Sequence, residues 1–142
     1  MIAVAGPCLC SASAPAACCH APDLPQASLQ FDKGVIRIDL KRAPGLLKKG
    51  ASGRIVDEGR SVDLVVVHVE KKRYVALDRK CTHGGGPVTY IEKRRIVQCT
   101  CWGHSQFGLD GTVVTGPAKK KLGVHEVRVA GDTIEIRTEP KA

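Results

Sequence analysis

From Phe31 to Arg137 the apolar residues recur at every second position, in short runs broken by Gly, Pro or clustered charge. An extended chain sends alternate side chains to opposite faces, so this period specifies strands rather than helices. In "VIRIDL" (35–40), Ile36, Ile38 and Leu40 fall on one face, and Arg37 and Asp39 on the other. "VDLVVVHVE" (62–70) is longer and mostly β-branched, which fits a buried central strand. "RYVALD" (73–78) follows it after a turn with "KKR" at its tip, so the two predict a hairpin. "VTYIE" and "RIVQC" flank "KRR" as a second hairpin, and "HEVRVA" and "TIEIR" flank "GD" as a third. With "RIVDEG" and "TVVTG" this makes about nine short strands, which predicts an all-β fold, an antiparallel β-sandwich or barrel. Only "APGLLKKGAS" holds a helical turn, and no internal repeat is visible.

The chain has 142 residues, enough for one domain with a modest core. Two regions differ sharply in composition. Residues 1–30 are rich in Ala, Pro, Ser and Cys, show neither period, and carry Asp23 as their one charged residue. This stretch reads as a flexible leader or the remnant of an export signal, and residues 31–142 as the folded domain. The first nineteen residues are uncharged but are interrupted by Gly, Ser and Pro, so no transmembrane segment is expected. They also lack the basic start of a signal peptide. Cytoplasm and periplasm both stay open. All 22 Lys and Arg lie beyond residue 30 against thirteen acids, which leaves residues 31–142 at +9. Such a surface favours an acidic partner. The basic groups are not interleaved with aromatics, which argues against a nucleic-acid platform. Oligomeric state is not legible.

Cysteine usage points to a metal. Cys8, Cys10, Cys18 and Cys19 lie in the leader, whereas the body has Cys81, Cys99 and Cys101, all near His83 and His104. A disulfide scaffold would spread its cysteines through the fold. The body instead shows C-x-H at Cys81–His83 and C-x-C-x-x-H at Cys99–His104. The hairpin "VTYIEKRRIVQC" brings the two pairs to neighbouring loops at its open end. Two thiolates and two imidazoles suit either structural Zn²⁺ in a Cys₂His₂ site or a [2Fe–2S] cluster with two Cys on one iron and two His on the other. The zinc reading describes a structural domain binding an acidic or nucleic-acid partner. His68, within a valine run, reads as a core or face residue, and His125, at the start of a strand, as exposed.

"CTHGGGPV" and "CWGH", with seventeen residues between His83 and Cys101, resemble the two ligand boxes of Rieske iron–sulfur proteins. "FGLDGTVVTGPA" resembles the aromatic, glycine turn and strand that follow the second box, and "GPA" (116–118) its proline loop. The resemblance covers most of residues 31–142. It implies a Rieske-like antiparallel β-sandwich or barrel carrying a small cluster-binding subdomain made of two loops. It also implies a [2Fe–2S] cluster held by Cys81, His83, Cys101 and His104, with Cys99 as the alternative to Cys101. The far nitrogens of both histidines would face solvent. The implied function is one-electron transfer, as a ferredoxin or the small electron-transfer subunit of an oxidoreductase, and not catalysis. A catalytic Rieske oxygenase needs a separate mononuclear iron centre of two His and one carboxylate, for which only His20, His68 and His125 remain.

Two departures from the family pattern matter. Gly86 stands where high-potential members carry a cysteine, so the disulfide that braces their loops is expected to be absent and Cys99 to be a buried spare thiol. That pattern is more similar to the ferredoxin and oxygenase branches. Phe107 follows His104 by three residues rather than four, a slip in the second box. Cys101 keeps the C-x-x-H spacing, whereas Cys99 fits the strand register better. Phe107 also lacks the hydroxyl that high-potential members use, and Ser105 stands one place from the usual serine, so a low or intermediate potential is expected. Pro87, Pro117 and Trp102 would shape or shield the cluster loops.

Overall fold

A computed structural model describes residues 22–82, 87–99, 105–116 and 118–138. Among these residues eleven strands form two antiparallel sheets. They are β1 (Leu29–Asp32), β2 (Val35–Asp39), β3 (Ser52–Asp57), β4 (Val62–Glu70), β5 (Arg73–Asp78), β6 (Val88–Ile91), β7 (Ile96–Cys99), β8 (Gln106–Gly108), β9 (Val113–Thr115), β10 (Val124–Ala130) and β11 (Thr133–Arg137). The larger sheet runs β1-β2-β11-β10-β5-β4-β3, and the smaller runs β6-β7-β8-β9. The all-β expectation holds, as do the three hairpins read from the turns. "APGLLKKGAS" contributes a single 3₁₀ turn at Pro44–Leu47.

β4 organises the packing, because it is buried on both faces. Leu64 and Val66 join a first core with Leu46, Ile55, Ala76, Ile134 and Ile136. Val65, Val67 and Val69 join a second core with Leu77, Val88, Val97 and Phe107. The larger sheet encloses the first core, and the smaller sheet covers its other face to make the second. This explains why β4 reads as a near-continuous apolar run where β2 and β11 alternate cleanly. With so few aromatics, β-branched residues fill both layers.

The folded body begins earlier than residue 31. Leu24 and Leu29 are buried in the first core. The Leu24 N–H donates to the Arg54 carbonyl at 2.9 Å, the Arg54 N–H donates to the Pro22 carbonyl at 2.8 Å, and Asp23 pairs with the Arg54 side chain. This short segment covers the outer edge of β3, which would otherwise expose an unpaired strand. Gly53 makes it possible, since a side chain there would collide with Leu24. The packed body therefore reaches back at least to Pro22, and residues 1–21 lie outside the described residues.

His68 is buried, as its setting among valines implied. Its ring stacks on Tyr74, centroids 4.3 Å apart. Neither ring nitrogen has a hydrogen-bond partner among the described residues, whereas the Tyr74 hydroxyl donates to the Leu46 carbonyl at 3.1 Å. His125 is not exposed as expected. It is largely buried, and Nε2 lies 2.7 Å from Asp78 Oδ1, a partner 47 residues away in sequence.

Two stability predictions follow from this packing. Buried unsatisfied polar groups cost about 1–3 kcal/mol, so His68→Phe, which keeps the ring stack, should raise stability by up to about 1 kcal/mol. A urea midpoint that rises with unchanged slope would show it. Gly111 has φ +84°, and a side chain there would run into the Leu122 carbonyl. Gly111→Ala should therefore cost roughly 1–3 kcal/mol in the same titration.

Candidate metal centre

The end of β5 leads directly into the first ligand loop. Arg79 is buried, and its guanidinium holds Asp63 at the start of β4, with Nε 2.5 Å from Oδ1. The Arg79 N–H also donates to the Asp63 carbonyl at 2.9 Å. Beyond it the chain turns out and returns: Lys80 bridges Pro87, and the Val88 N–H donates to the Arg79 carbonyl at 2.8 Å. Lys80 and Pro87 are thus held side by side at the foot of the first box. Cys81 stands at that foot, 3% exposed, within the second core.

The hairpin β6–β7 carries the chain out and back. Its turn spans Glu92–Arg94, with Arg95 left-handed at φ 52°. The register sets Val88 opposite Cys99, so the second loop starts where the first one ends. Cys99 is 1% exposed, and its N–H donates to the Ser105 carbonyl at 2.8 Å, which ties together the two ends of the second box. β8 then pairs back on β7, with Gln106 opposite Gln98.

A third segment pins both loops. Ser105 is fully buried, and its Oγ accepts the Ala118 N–H at 3.1 Å. The Thr82 hydroxyl donates to the Lys120 carbonyl at 2.8 Å. The Leu122 N–H donates to the Gly111 carbonyl at 2.8 Å, which fixes this segment to the turn before β9. That turn is held by Asp110, which accepts the Thr112 N–H at 3.0 Å. The Thr112 backbone and hydroxyl hold the Asp110 carboxyl below the usual carboxylate range.

The expected ligand residues are only partly described. Cys81 is described, at the foot of the first box, and the strand ends that flank the two boxes lie side by side at one end of the small sheet. His83, Cys101 and His104 lie outside the described residues, as do Trp102 and Pro117. Cys99 differs from expectation. It is buried, but it is disulfide-bonded rather than a spare thiol, and its partner lies outside the described residues. A sulfur bonded to sulfur offers no thiolate to a metal. A buried cysteine at a closed loop foot, among apolar residues, is suited to a soft metal centre shielded from water. The Arg79–Asp63 pair was not singled out from the sequence. Arg79 adjoins the first box, but Asp63 belongs to a strand read only for its valines.

The described chain is an all-β scaffold in which the feet of the two Cys/His boxes lie side by side. The family model of the Rieske [2Fe-2S] domain matches residues 46–130, and the chain belongs to that family. Its members carry electrons through a [2Fe–2S] cluster. This assignment leaves the zinc reading without support. Among curated relatives, the cytochrome b6-f complex iron-sulfur subunit of Synechococcus sp. (strain JA-3-3Ab) is 27% identical over 80% of this chain and 69% of its own length. The same subunit from strain JA-2-3B'a(2-13) is 27% identical over 64% of this chain and 54% of its own. The plasma membrane Rieske protein PetC3 of Synechocystis PCC 6803 superposes with a TM-score of 0.54 at 25% identity, over 70% of this chain and 91% of its own. The ferredoxin of carbazole 1,9a-dioxygenase from Nocardioides aromaticivorans IC177 gives 0.54 at 18% identity, over 66% and 89%, and supports the fold. No helix among the described residues is long and apolar enough to cross a membrane.

Arg79 Nη1 is buried with no hydrogen-bond partner among the described residues. Removing Asp63 strands a buried guanidinium, and breaking such a pair costs up to about 3–5 kcal/mol. Asp63→Asn should therefore be more harmful than Arg79→Met, with both lowering iron bound per chain because the foot of the first loop loosens. Urea titration and iron assay of the purified variants measure the two effects.

Proposed function

We infer that the chain holds its [2Fe–2S] cluster through Cys81 and Cys101 on one iron and His83 and His104 on the other, and acts as a one-electron carrier. The observation that carries the assignment is the pair of loops closed at their feet by the Val88–Arg79 and Cys99–Ser105 hydrogen bonds. Each loop contributes one Cys and one His in the family's spacing. When bound, the cluster supplies a one-electron couple whose neutral imidazole ligands raise its potential above that of all-thiolate ferredoxins. The chain's own residues hold the ligand loops in register and keep water from the sulfur side. Cys81 sits in the second core for that purpose, backed by Val88, Val97 and Phe107. Cys101 keeps the C-x-x-H spacing with His104, which favours it over Cys99.

Two features support a low or intermediate potential. Phe107 is fully buried and has no hydroxyl to offer a cluster sulfur, and Ser105, whose Oγ accepts the Ala118 N–H, stands one place from the usual serine. The partner is a redox protein with an acidic docking face, in keeping with the basic charge of the body. The electron-transfer domain takes in residues 22–30 together with 31–142, with residues 1–21 as its leader.

The purified protein should be red-brown and, once reduced, give the EPR signal of a Rieske cluster. Cys81→Ser and Cys101→Ser should abolish both, while Cys99→Ser should retain them. Loss of the cluster in Cys99→Ser alone would move the ligand to Cys99. Reductive titration should place the midpoint below that of members whose clusters are hydrogen-bonded by serine and tyrosine.

A further inference from the structure

An open groove of about 1200 Å³ flanks the foot of the first ligand loop. One wall is the β1–β2 hairpin, with Phe31 and Lys33. The other is formed by the end of β5 and the segment before β10, with Lys80, Thr82 and Lys121. Thr82, which precedes His83 in the chain, puts one end of the groove against the proposed ligand loop.

The groove's charges are unevenly matched. Its acids already have partners: Asp63 pairs with Arg79, Asp78 with His125, and Asp32 with Arg37. Arg60, which lies 4.8 Å above the Phe31 ring, pairs with Asp57. Lys33, Lys80 and Lys121 are exposed and form no ion pair among the described residues. The lining also includes Val62, Leu64 and Leu122, of which Leu64 and Leu122 are buried. The groove is therefore apolar at its base and cationic at its rim. Its backbone is equally distinctive. β1 is the last strand of the larger sheet, and no described residue pairs with its outer edge. Such an edge offers main-chain donors and acceptors that an extended peptide can match and a lipid headgroup cannot.

We propose that this groove is a docking site for an acidic, extended peptide segment of the redox partner, held at its carboxylates by Lys33, Lys80 and Lys121. The site flanks the ligand loops rather than covering them. A partner anchored here would be held beside the ligand boxes without covering them. The peptide's identity as part of a redox partner rests on the electron-carrier reading, whereas its binding to the groove does not.

The test uses the full-length, cluster-loaded protein and a fluorescein-labelled hexaglutamate peptide, read by anisotropy at low ionic strength. Wild type should bind the peptide, and added salt should weaken binding because exposed charges are screened. Lys33→Glu, Lys80→Glu and Lys121→Glu together should weaken binding by about tenfold or more, given three reversed surface contacts. A control triple with the same charge change, Lys41→Glu, Lys71→Glu and Lys93→Glu, should retain most of the affinity. No binding to wild type, or equal loss in both triples, would overturn the proposal. An unlabelled single-stranded oligonucleotide that displaces the peptide from the groove at comparable concentration would reassign the site to a phosphate backbone and overturn it as well. The cluster's absorbance and EPR signal, recorded on the same samples, separate failure of docking from failure of the cluster assignment.

Discussion

The burial of β4 on both faces is the constraint from which the rest of this molecule follows. Leu64 and Val66 serve one core, and Val65, Val67 and Val69 serve the other, so one strand belongs to two hydrophobic layers. A slip of one residue would exchange the two sets. Its pairing with β3 and β5 is consequently held over nearly its whole length, with a single irregularity between His68 and Glu70. β5 inherits that precision and delivers Arg79 and Cys81 to a defined position.

The cluster end is then assembled from ties that are individually modest. Two backbone hydrogen bonds close the loop feet, two side-chain contacts bind the third segment to them, and one ion pair fastens the first foot to β4. None of these is a large term alone, since a typical intramolecular hydrogen bond contributes about 1 kcal/mol net. Their effect is geometric. Each restrains a different point, so the chain enters and leaves both ligand boxes at fixed positions on the sheet.

Much of this was legible in the sequence because strand period and turn chemistry are local. The alternation in "VIRIDL" and "TIEIR", the "GD" turn and the valine run of β4 all appear as read. β1 and β8 are short, and "LQFD" and "QFG" offer too few positions for a period to show. That residues 22–30 pack on the fold was hidden by their composition: these contacts depend on Gly53 and Arg54, about thirty residues on. His125 was read as exposed because only the fold reveals Asp78 as its partner. The two ligand boxes were legible as spacing, since C-x-H and C-x-x-H are local patterns. The state of Cys99 was not, because a disulfide is a property of two sulfurs in space.

The division into two cores has a thermodynamic corollary. Cys81 and Cys99 both belong to the second core and neither to the first. Cofactor binding is linked to the stability of whatever structure holds its ligands. Here that structure is the smaller sheet and one face of β4, while β1, β2, β3 and β11 pack on the other side. The apo chain would keep one cooperative unit nearly intact and weaken the other, so loss of iron and loss of fold become separate events. The larger sheet then serves as a folded template on which the cluster-bearing half can be rebuilt.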